Sequence, residues 1–587
     1  MNPVEGQVRP GRPGRPGRMG RLGRPWAAAL VLLAYLLLGA TLHRTLWPDP
    51  LHAATEAGQG DTGLLLFFLA NTAHALFHAG GHGLLVTHAL NVPDGVNVMW
   101  NAGLLLPGVL LSWLTELAGP ILVLNLLVVL GPALSAWSAY LCSGRFLPSQ
   151  SARVLVGLAF GFSPAMSVES TGHLQLSLLP LVPVLLLLVL DLATGRLGWR
   201  RGGLLLGLAV AAQVLMGEEV LAMTAIAAVV LLAVLGAQAV REIPAAAGRL
   251  LAAGAVAGLL TLVLVGYPLL IQFTGPQHVH GELQAHDRYK LDPAQLLVPS
   301  RGMHFQSART VPLDRADGPS EALGFLGLPV LLLLIAAVVI GRRDRLVRTC
   351  AAAAGLLAVL ACGSTLRYDG HATGRRLPWG LADGAPVLAN VLPVRWMLLV
   401  DLLVALLLGW LVQSLSGSGR AGPATGSALV LAALVPWAPQ VVHAVRVPVP
   451  ALFARGAPGL SGAVLVVPMS TPPRSLAMTW QAVAGVGFAM PGGYFVGPAA
   501  DGRATFGSGR HSPVRSLLQQ VRATGRPVVL TSVQRTQVLG ELTRDHIHTV
   551  VLGPGPGFVA YRTTLTDLLG APPIVDLGTL VWRQIKE

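Results

Sequence analysis

The sequence predicts an α-helical polytopic membrane protein of about eleven transmembrane helices, followed by a C-terminal extracytoplasmic α/β domain. Mean hydropathy is +0.63 and only 12% of residues are charged, against about a quarter in soluble proteins. Apolar runs long enough to cross a bilayer recur along most of the chain. After residue 446, short strand and helix patterns alternate, which is typical of an α/β domain.

The first 25 residues predict a disordered basic tail on the cytoplasmic side. Arginine occupies every third position from Arg9 to Arg24, and the intervening glycine and proline residues are incompatible with a helix. Such a tail is suited to contacting anionic lipid. We expect no nucleic-acid binding, because no aromatic residues interleave with the arginines and a membrane span follows at once.

The transmembrane part is predicted to cover residues 26–445. Short connections rich in arginine alternate with connections that lack it, which places the N-terminus inside by the positive-inside rule. The run Leu104 to Leu117 is short, so we interpret it as a re-entrant or interfacial helix on the outer side. An even number of spans is the alternative and would invert the later topology. The predicted spans are 26–43, 120–142, 154–170, 176–192, 203–217, 220–238, 249–271, 326–341, 349–363, 396–415 and 426–444, with large outer loops at 44–101, 272–325 and 364–395.

Two adjacent carboxylates, Glu218 and Glu219, interrupt an apolar stretch. A charge at the bilayer centre costs roughly 2.5–3.5 kcal/mol on the insertion scale. The predicted topology instead places the pair in an outer turn between two helices, where the side chains bind substrate hydroxyls or form a structural pair at a helix end.

The first outer loop contains a helical segment at 63–78 that we expect to lie along the membrane interface. His74, His78 and His82 follow at four-residue spacing, which would suit a metal site on one helix face. The glycine pair before His82 favours the alternative of hydrogen-bonded interfacial histidines. The three cysteines show neither metal-ligand spacing nor a pairing pattern.

Other candidate residues also carry two interpretations. Asp94 lies in a Pro-Asp-Gly turn, where it either caps the turn or has a functional role. Arg395 lies where the chain re-enters the membrane, as a snorkelling arginine or as a phosphate clamp. His173 in GHLQL is a packing residue or a substrate ligand.

The region 446–587 is predicted to be an extracytoplasmic α/β domain of strands and short helices. It contains no dinucleotide fingerprint, Walker motif or nucleophile elbow. The predicted strands are Ala463–Pro468, 527–533, 548–554 and 579–585, with helices at 512–525, 536–542 and 564–570.

Several stretches together resemble the C-type glycosyltransferase (GT-C) superfamily, and more closely a group of uncharacterised actinobacterial multi-spanning membrane proteins. These stretches are NVPDGVNVMWN, GHLQL, GEEVLA, YPLLIQFTGPQHVHG, SEALGFLGLP, NVLPVRWMLL and MTWQAVAG followed by MPGGY. The resemblance implies an integral plasma-membrane glycosyltransferase. It would move a sugar from a polyprenyl-phosphate donor to an extracytoplasmic glycan or lipid acceptor.

The resemblance also implies roles for particular residues. Asp61 in the first outer loop is the candidate catalytic residue, which either acts as base on the acceptor hydroxyl or helps to hold a divalent metal ion. Arg395, with Arg367, is the candidate phosphate-binding group. The complete predicted substrate-binding set is Asp94, His173, Glu218, Glu219, Glu321, Arg367 and Arg395.

Two other classes of function fit the sequence. A transporter or flippase of a lipid-linked glycan would require repeats and broken helices that carry charges in the membrane, and no internal repeat is visible. A non-enzymatic membrane protein of envelope assembly would tolerate charge-neutral substitution of the acids.

Overall fold

The computed structural model describes residues 25–80, 82–101, 104–285, 287–314, 321–382, 388–417 and 423–583. The predicted basic tail lies outside these ranges, except for Pro25. Within them the chain is mostly helical, and each predicted span overlaps one or two helices. The helices of this part are α1 (Pro25–Leu42), α2 (Gly60–Phe77), α3 (Leu105–Leu110), α4 (Ser112–Ala118), α5 (Pro120–Ser143), α6 (Gln150–Gly161), α7 (Pro164–Gly172), α8 (Leu174–Ser177), α9 (Leu181–Ala193), α10 (Trp199–Val214), α11 (Glu218–Gln238), α12 (Ile243–Thr274), α13 (Thr310–Asp314), α14 (Leu328–Ile340), α15 (Arg345–Ala361), α16 (Met397–Gly417) and α17 (Pro423–Leu434).

Among the described residues, five helices are long and apolar enough to cross a membrane: α1, α5, α11, α12 and α16. Helices α6 and α7 meet at 45° and would make a sixth span if they count as one broken helix. Other apolar helices, such as α9 and α14, are shorter than a full crossing requires. The number of eleven spans therefore stays a prediction.

The position of the first-loop helix relative to the membrane interface stays a prediction. Within the protein, helix α2 is buried, and every residue from Leu64 to Ala70 is at most 7% exposed. This stretch is apolar all round, and such a stretch is stable only where neighbours cover every face. Its neighbours include α5, the two short helices α3 and α4 of the 104–117 region, and α19 (Leu476–Val483).

The C-terminal region forms a four-stranded sheet made of β7 (Ala463–Val467), β10 (Ile547–Leu552), β11 (Ile574–Asp576) and β12 (Thr579–Arg583), in the order β11-β12-β10-β7. The shorter elements that precede it are β1 (Ala53–Ala54), β2 (Val86–Thr87), β3 (Val96–Asn97), β4 (Thr365–Tyr368), β5 (His371–Arg376), β6 (Val445–Arg446) and α18 (Ala451–Ala454). Strand β7 runs parallel to β10, and the other pairs are antiparallel. Strands form within the predicted ranges 463–468 and 548–554, and within 579–585 as far as residue 583, where the described part of the chain ends. The elements of this region are β7 (Ala463–Val467), α19, β8 (Val496–Pro498), β9 (Ala504–Phe506), α20 (Pro513–Thr524), α21 (Ser532–Arg544), β10 (Ile547–Leu552), α22 (Phe558–Leu569), β11 (Ile574–Asp576) and β12 (Thr579–Arg583).

The predicted strand at 527–533 does not form. Thr531 instead caps α21, because its hydroxyl accepts a hydrogen bond from the Gln534 backbone N–H while the Gln534 side chain returns to the Thr531 backbone. This capping box starts the helix at Ser532. The β-branched residues that favoured a strand therefore fall before and inside the first helical turn.

The sheet shares its two faces between two cores. Leu465 and Val550 face α20, α21 and α22. Their neighbours along the strands, Val464 and Val551, pack into the same cluster as α2. Because alternate residues of a strand point to opposite faces, one face of the sheet is part of the core that surrounds α2.

Helix α19 fixes the start of α2 through polar contacts at close approach. The Ser475 hydroxyl donates to the Gly60 carbonyl oxygen at 2.8 Å, and the Thr479 hydroxyl donates to the Gly58 carbonyl oxygen. A Cβ atom at Gly63 would lie 2.3 Å from the Ser475 hydroxyl oxygen and 2.6 Å from the Gly58 carbonyl oxygen. Glycine is therefore required at residue 63 for the two helices to approach this closely.

We expect Gly63→Ala to lower the free energy of unfolding by about 1–3 kcal/mol, the usual cost of overpacking a close contact. The matched control is Gly254→Ala in α12, where an added Cβ would meet no atom within 4 Å. The measurement is the thermal unfolding of both variants in the same detergent. Equal midpoints for the two variants would contradict the close approach of α2 and α19.

Candidate functional site

Five of the predicted site residues form one charged cluster. They come from different parts of the chain: the first turn of α2, the end of α7, the first turn of α11, the segment before α14 and the turn that leads into α16. The five are Asp61, His173, Glu219, Glu321 and Arg395, and contacts of 3.8 Å or less join them in pairs.

His173 occupies the middle of a chain of hydrogen bonds and ion pairs. Its Nδ1 lies 2.7 Å from Glu169 Oε2, and its Nε2 lies 3.3 Å from Asp61 Oδ2 and 3.8 Å from Glu321 Oε1. The other oxygen of Asp61 accepts a hydrogen bond of 2.7 Å from the Tyr494 hydroxyl. Asp61 is thus held from both sides, although 29% of its side chain stays exposed.

Arg395 joins two carboxylates through both ends of its guanidinium group. Nη1 donates to Glu219 Oε2 at 2.5 Å, while Nη2 and Nε donate to the two oxygens of Glu321 at 2.6 and 3.3 Å. Arg395 is only 8% exposed. The fork of the guanidinium group gives bidentate geometry that a lysine cannot reproduce.

The surroundings of His173 favour the imidazolium form. Burial alone would lower its pKa, but the charge and hydrogen bond of Glu169 outweigh burial and raise the pKa of His173 to about 9. At neutral pH both ring nitrogens therefore carry protons and donate. Glu169 itself is fully buried, and its Oε1 has no hydrogen-bond partner among the described residues.

Two further ionisable groups lie next to Asp61. Burial, together with the charge of Asp61, raises the pKa of Tyr494, so its hydroxyl stays a donor. Burial also raises the pKa of Glu56, whose carboxylate accepts a hydrogen bond from Thr62. These groups place a fixed donor and an additional carboxyl group beside Asp61.

The sequence predicted that Glu218 and Glu219 lie in a turn between two helices. In the structure they lie in the first turn of α11. Carboxylates are favoured there by the helix macrodipole. The two side chains have different partners: Glu219 contacts Arg395, whereas Glu218 Oε2 accepts a hydrogen bond of 2.7 Å from Gln272 Nε2. Glu218 Oε1 is buried without a partner in the described part of the chain.

Two predicted residues have their contacts elsewhere. The Asp94 carboxylate lies 3.7 Å from Arg510 Nη1 of the C-terminal region. Arg367 donates from Nη2 to the Lys290 carbonyl oxygen at 2.8 Å, and its Nε lies 3.8 Å from Asp292 Oδ2. Both contacts join segments that are far apart in the chain, so they are consistent with a structural role.

The site also contains two residues that the sequence analysis did not select, Glu169 and Tyr494. Glu169 precedes His173 by four residues, a spacing that places both on one face of a helical turn and could have been recognised. Tyr494 lies in the MPGGY stretch, more than 400 positions from Asp61, and no local pattern connects the two.

Each acid of the cluster pairs with Arg395 or His173. Among the described residues, no group of three or more His, Cys, Asp or Glu side chains could hold a metal ion.

The histidines of the first loop lie close to each other and to one acid. His78 Nε2 lies 2.9 Å from Glu116 Oε1, and the ring centroids of His78 and His74 are 5.5 Å apart.

The fold resembles that of solved membrane glycosyltransferases. The arabinofuranosyltransferase AftD from Mycobacteria matches 96% of this chain with a TM-score of 0.56 and 16% identity, and the match covers 40% of AftD. The oligosaccharyltransferase AglB from Archaeoglobus fulgidus matches 90% of this chain and 69% of its own length, with a TM-score of 0.49 and 12% identity. This chain thus spans about 40% of the length of AftD.

The likeness to AftD and the apolar helices define the class: the chain has the GT-C fold and contains helices that are long and apolar enough to cross a membrane. It belongs to the family described as "Domain of unknown function (DUF6311)", whose sequence profile matches residues 72–380, more than half of the chain. No curated protein sequence matches the chain significantly. At 16% identity the likeness to AftD establishes the fold alone.

The raised pKa of His173 predicts that stability falls at alkaline pH. The stabilisation from charged His173 is complete below its ordinary pKa of about 6.5 and is lost as the pH rises through about 9. We expect the thermal midpoint of the wild type to fall between pH 7 and pH 9.5, measured in one detergent. His173→Gln should lose this dependence, and parallel curves for the two proteins would contradict the assignment.

The buried ion pairs of Arg395 predict a large cost for its removal. Arg395→Met would leave Glu321 buried without its bidentate partner, and breaking such a pair costs about 3–5 kcal/mol. The control is Arg309→Met, which removes an exposed pair with Asp369 and should leave stability unchanged. Denaturant unfolding of both variants measures the difference, and similar values would show that the Arg395 pairs are not stabilising.

Proposed function

We propose that this protein is an integral membrane glycosyltransferase that moves a sugar from a polyprenyl-phosphate donor to an extracytoplasmic glycan or lipid acceptor. The observation that supports the proposal best is the arrangement around Asp61, a partly exposed carboxylate held between the protonated His173 and the Tyr494 hydroxyl. The GT-C fold is consistent with this activity. In the proposed orientation the N-terminus is cytoplasmic, and the cluster and the C-terminal region lie on the outer side.

Asp61 would act as the general base of an inverting transfer. Each carboxylate oxygen has two lone pairs, so Asp61 keeps acceptor capacity beside its bonds to His173 and Tyr494. The acceptor hydroxyl would give its proton to Asp61 while its oxygen attacks the anomeric carbon of the donor. The bond from that carbon to the phosphate oxygen would break, and the polyprenyl phosphate would leave with the electron pair.

Arg395 would organise the acids and could also receive the donor phosphate. Its Nη1 is paired with Glu219, the more exposed of its two partners, whose side chain is 24% accessible. A phosphate that displaces Glu219 from Nη1 would leave the bidentate pair with Glu321 intact. Glu218, with a buried unpartnered oxygen, would accept a hydrogen bond from a sugar hydroxyl.

The test is a rescue experiment with Asp61→Asn. The gene is deleted in its host, the envelope glycans are profiled, and each variant is reintroduced at matched expression. Loss of a general base lowers a rate by about 10²- to 10⁴-fold, so Asp61→Asn should fail to restore the missing glycan. Asp94→Asn is the control, because Asp94 contacts Arg510 instead of the cluster, and it should restore the glycan.

Restoration by Asp61→Asn would overturn the proposed base and favour a non-enzymatic role in envelope assembly.

A transporter of a lipid-linked glycan is the second candidate, favoured by one observation. Helices α6 and α7 form a bent pair, and the second half carries Glu169 and ends at His173. Broken helices with charged residues are typical of transporters. Purified protein in liposomes distinguishes the two, because a transporter would move the lipid-linked glycan across the bilayer without forming a new glycosidic bond.

A further inference from the structure

A cavity of about 200 Å³ lies in the C-terminal region. Three segments line it: the turn after β7, the glycine pair before Tyr494, and the stretch from the end of β9 into α20. It is smaller than the roughly 300–1,000 Å³ of drug-sized pockets. The cavity therefore suits a small ligand or one unit of a longer chain.

The lining of the cavity combines polar groups with one exposed aromatic ring. The polar residues of the lining include Thr471 and Ser508 and, on α20, Arg515 and Gln519. These last two are four residues apart on α20 and so face the same way. Phe506, which is 37% exposed, supplies an apolar surface in this polar setting.

Such a lining matches the chemistry of a sugar ring. A sugar presents hydroxyl groups that donate and accept hydrogen bonds at its edge, and C–H groups on its faces. Arg515 already donates from Nη1 to the Ser508 carbonyl oxygen at 2.9 Å, which fixes the guanidinium plane at the cavity wall. A few fixed polar groups around an apolar surface are what orient a ligand in a binding site.

A short path joins the cavity to the proposed base. The rings of Phe506 and Tyr494 are in contact, with centroids 5.9 Å apart, and the Tyr494 hydroxyl donates to Asp61 Oδ1. Gly492 and Gly493 line the cavity directly before Tyr494. The rings of Phe506 and Tyr494 therefore connect a ligand in the cavity to the carboxylate of Asp61, the proposed base.

We propose that this cavity is a subsite for the glycan acceptor, in which Phe506 stacks against one sugar ring and Arg515 and Gln519 bond its hydroxyl groups. The inference rests on the proposed glycosyltransferase function, and it names the acceptor as a saccharide rather than a lipid alone. The subsite holds a sugar unit beside the one that reacts, so it determines acceptor affinity and not the chemical step.

The experiment measures saccharide binding directly, without turnover. Full-length wild type, Phe506→Ala and Gln519→Ala in detergent are titrated with α-mannotriose, maltotriose and an α-arabinofuranosyl trisaccharide, and binding is followed by ligand-observed saturation-transfer NMR. We expect at least one trisaccharide to bind the wild type, and each variant to weaken it about tenfold. Phe506→Tyr keeps the ring and should retain binding, which controls for misfolding of the alanine variant.

Asp61→Asn separates this inference from the proposed function. It should bind the same trisaccharide as well as the wild type does, even though the rescue experiment expects it to be inactive. No binding of any of the three trisaccharides, or binding that Phe506→Ala and Gln519→Ala leave unchanged, overturns the subsite. Neither result bears on whether Asp61 is required for the glycan in the host.

Discussion

The cluster depends on two cations that are shared among four acids. Asp61, Glu169, Glu219 and Glu321 come close together in a largely buried setting, where an unpaired charge would be costly. Arg395 and protonated His173 are shared among them, so each cation serves at least two carboxylates. Each element that carries one of these groups is therefore fixed relative to the others.

The position of Asp61 depends on the C-terminal region as well as on the membrane helices. Asp61 lies in the first turn of α2, and α19 holds that turn through Ser475. Tyr494, eleven residues beyond the end of α19, holds the carboxylate itself. One face of the sheet packs into the same core as α2. The C-terminal region is consequently part of the site and not an appended module.

The sequence predicted helix positions well because apolar runs are local signals. It failed where the outcome depended on partners far along the chain. Nothing local in the sequence shows that α19 covers helix α2. The strand at 527–533 was wrong because the Thr531 capping box outweighed β-branched residues. Within the site, Glu219 was selected by its apolar setting, Arg395 by its position where the chain re-enters the membrane, and Asp61 by the resemblance to GT-C enzymes. Tyr494 gave no local signal.

The residues of the cluster lie partly inside and partly outside the stretch of the chain that matches the family profile. The profile covers residues 72–380 and so contains Glu169, His173, Glu219 and Glu321. Asp61, Arg395 and Tyr494 lie outside it on both sides. The matched part thus supplies three of the acids and the histidine. The flanking parts supply the exposed carboxylate, its hydroxyl donor and the guanidinium group that pairs two of those acids. A chemical function assigned to the cluster therefore requires both flanking parts, which the family profile alone does not describe.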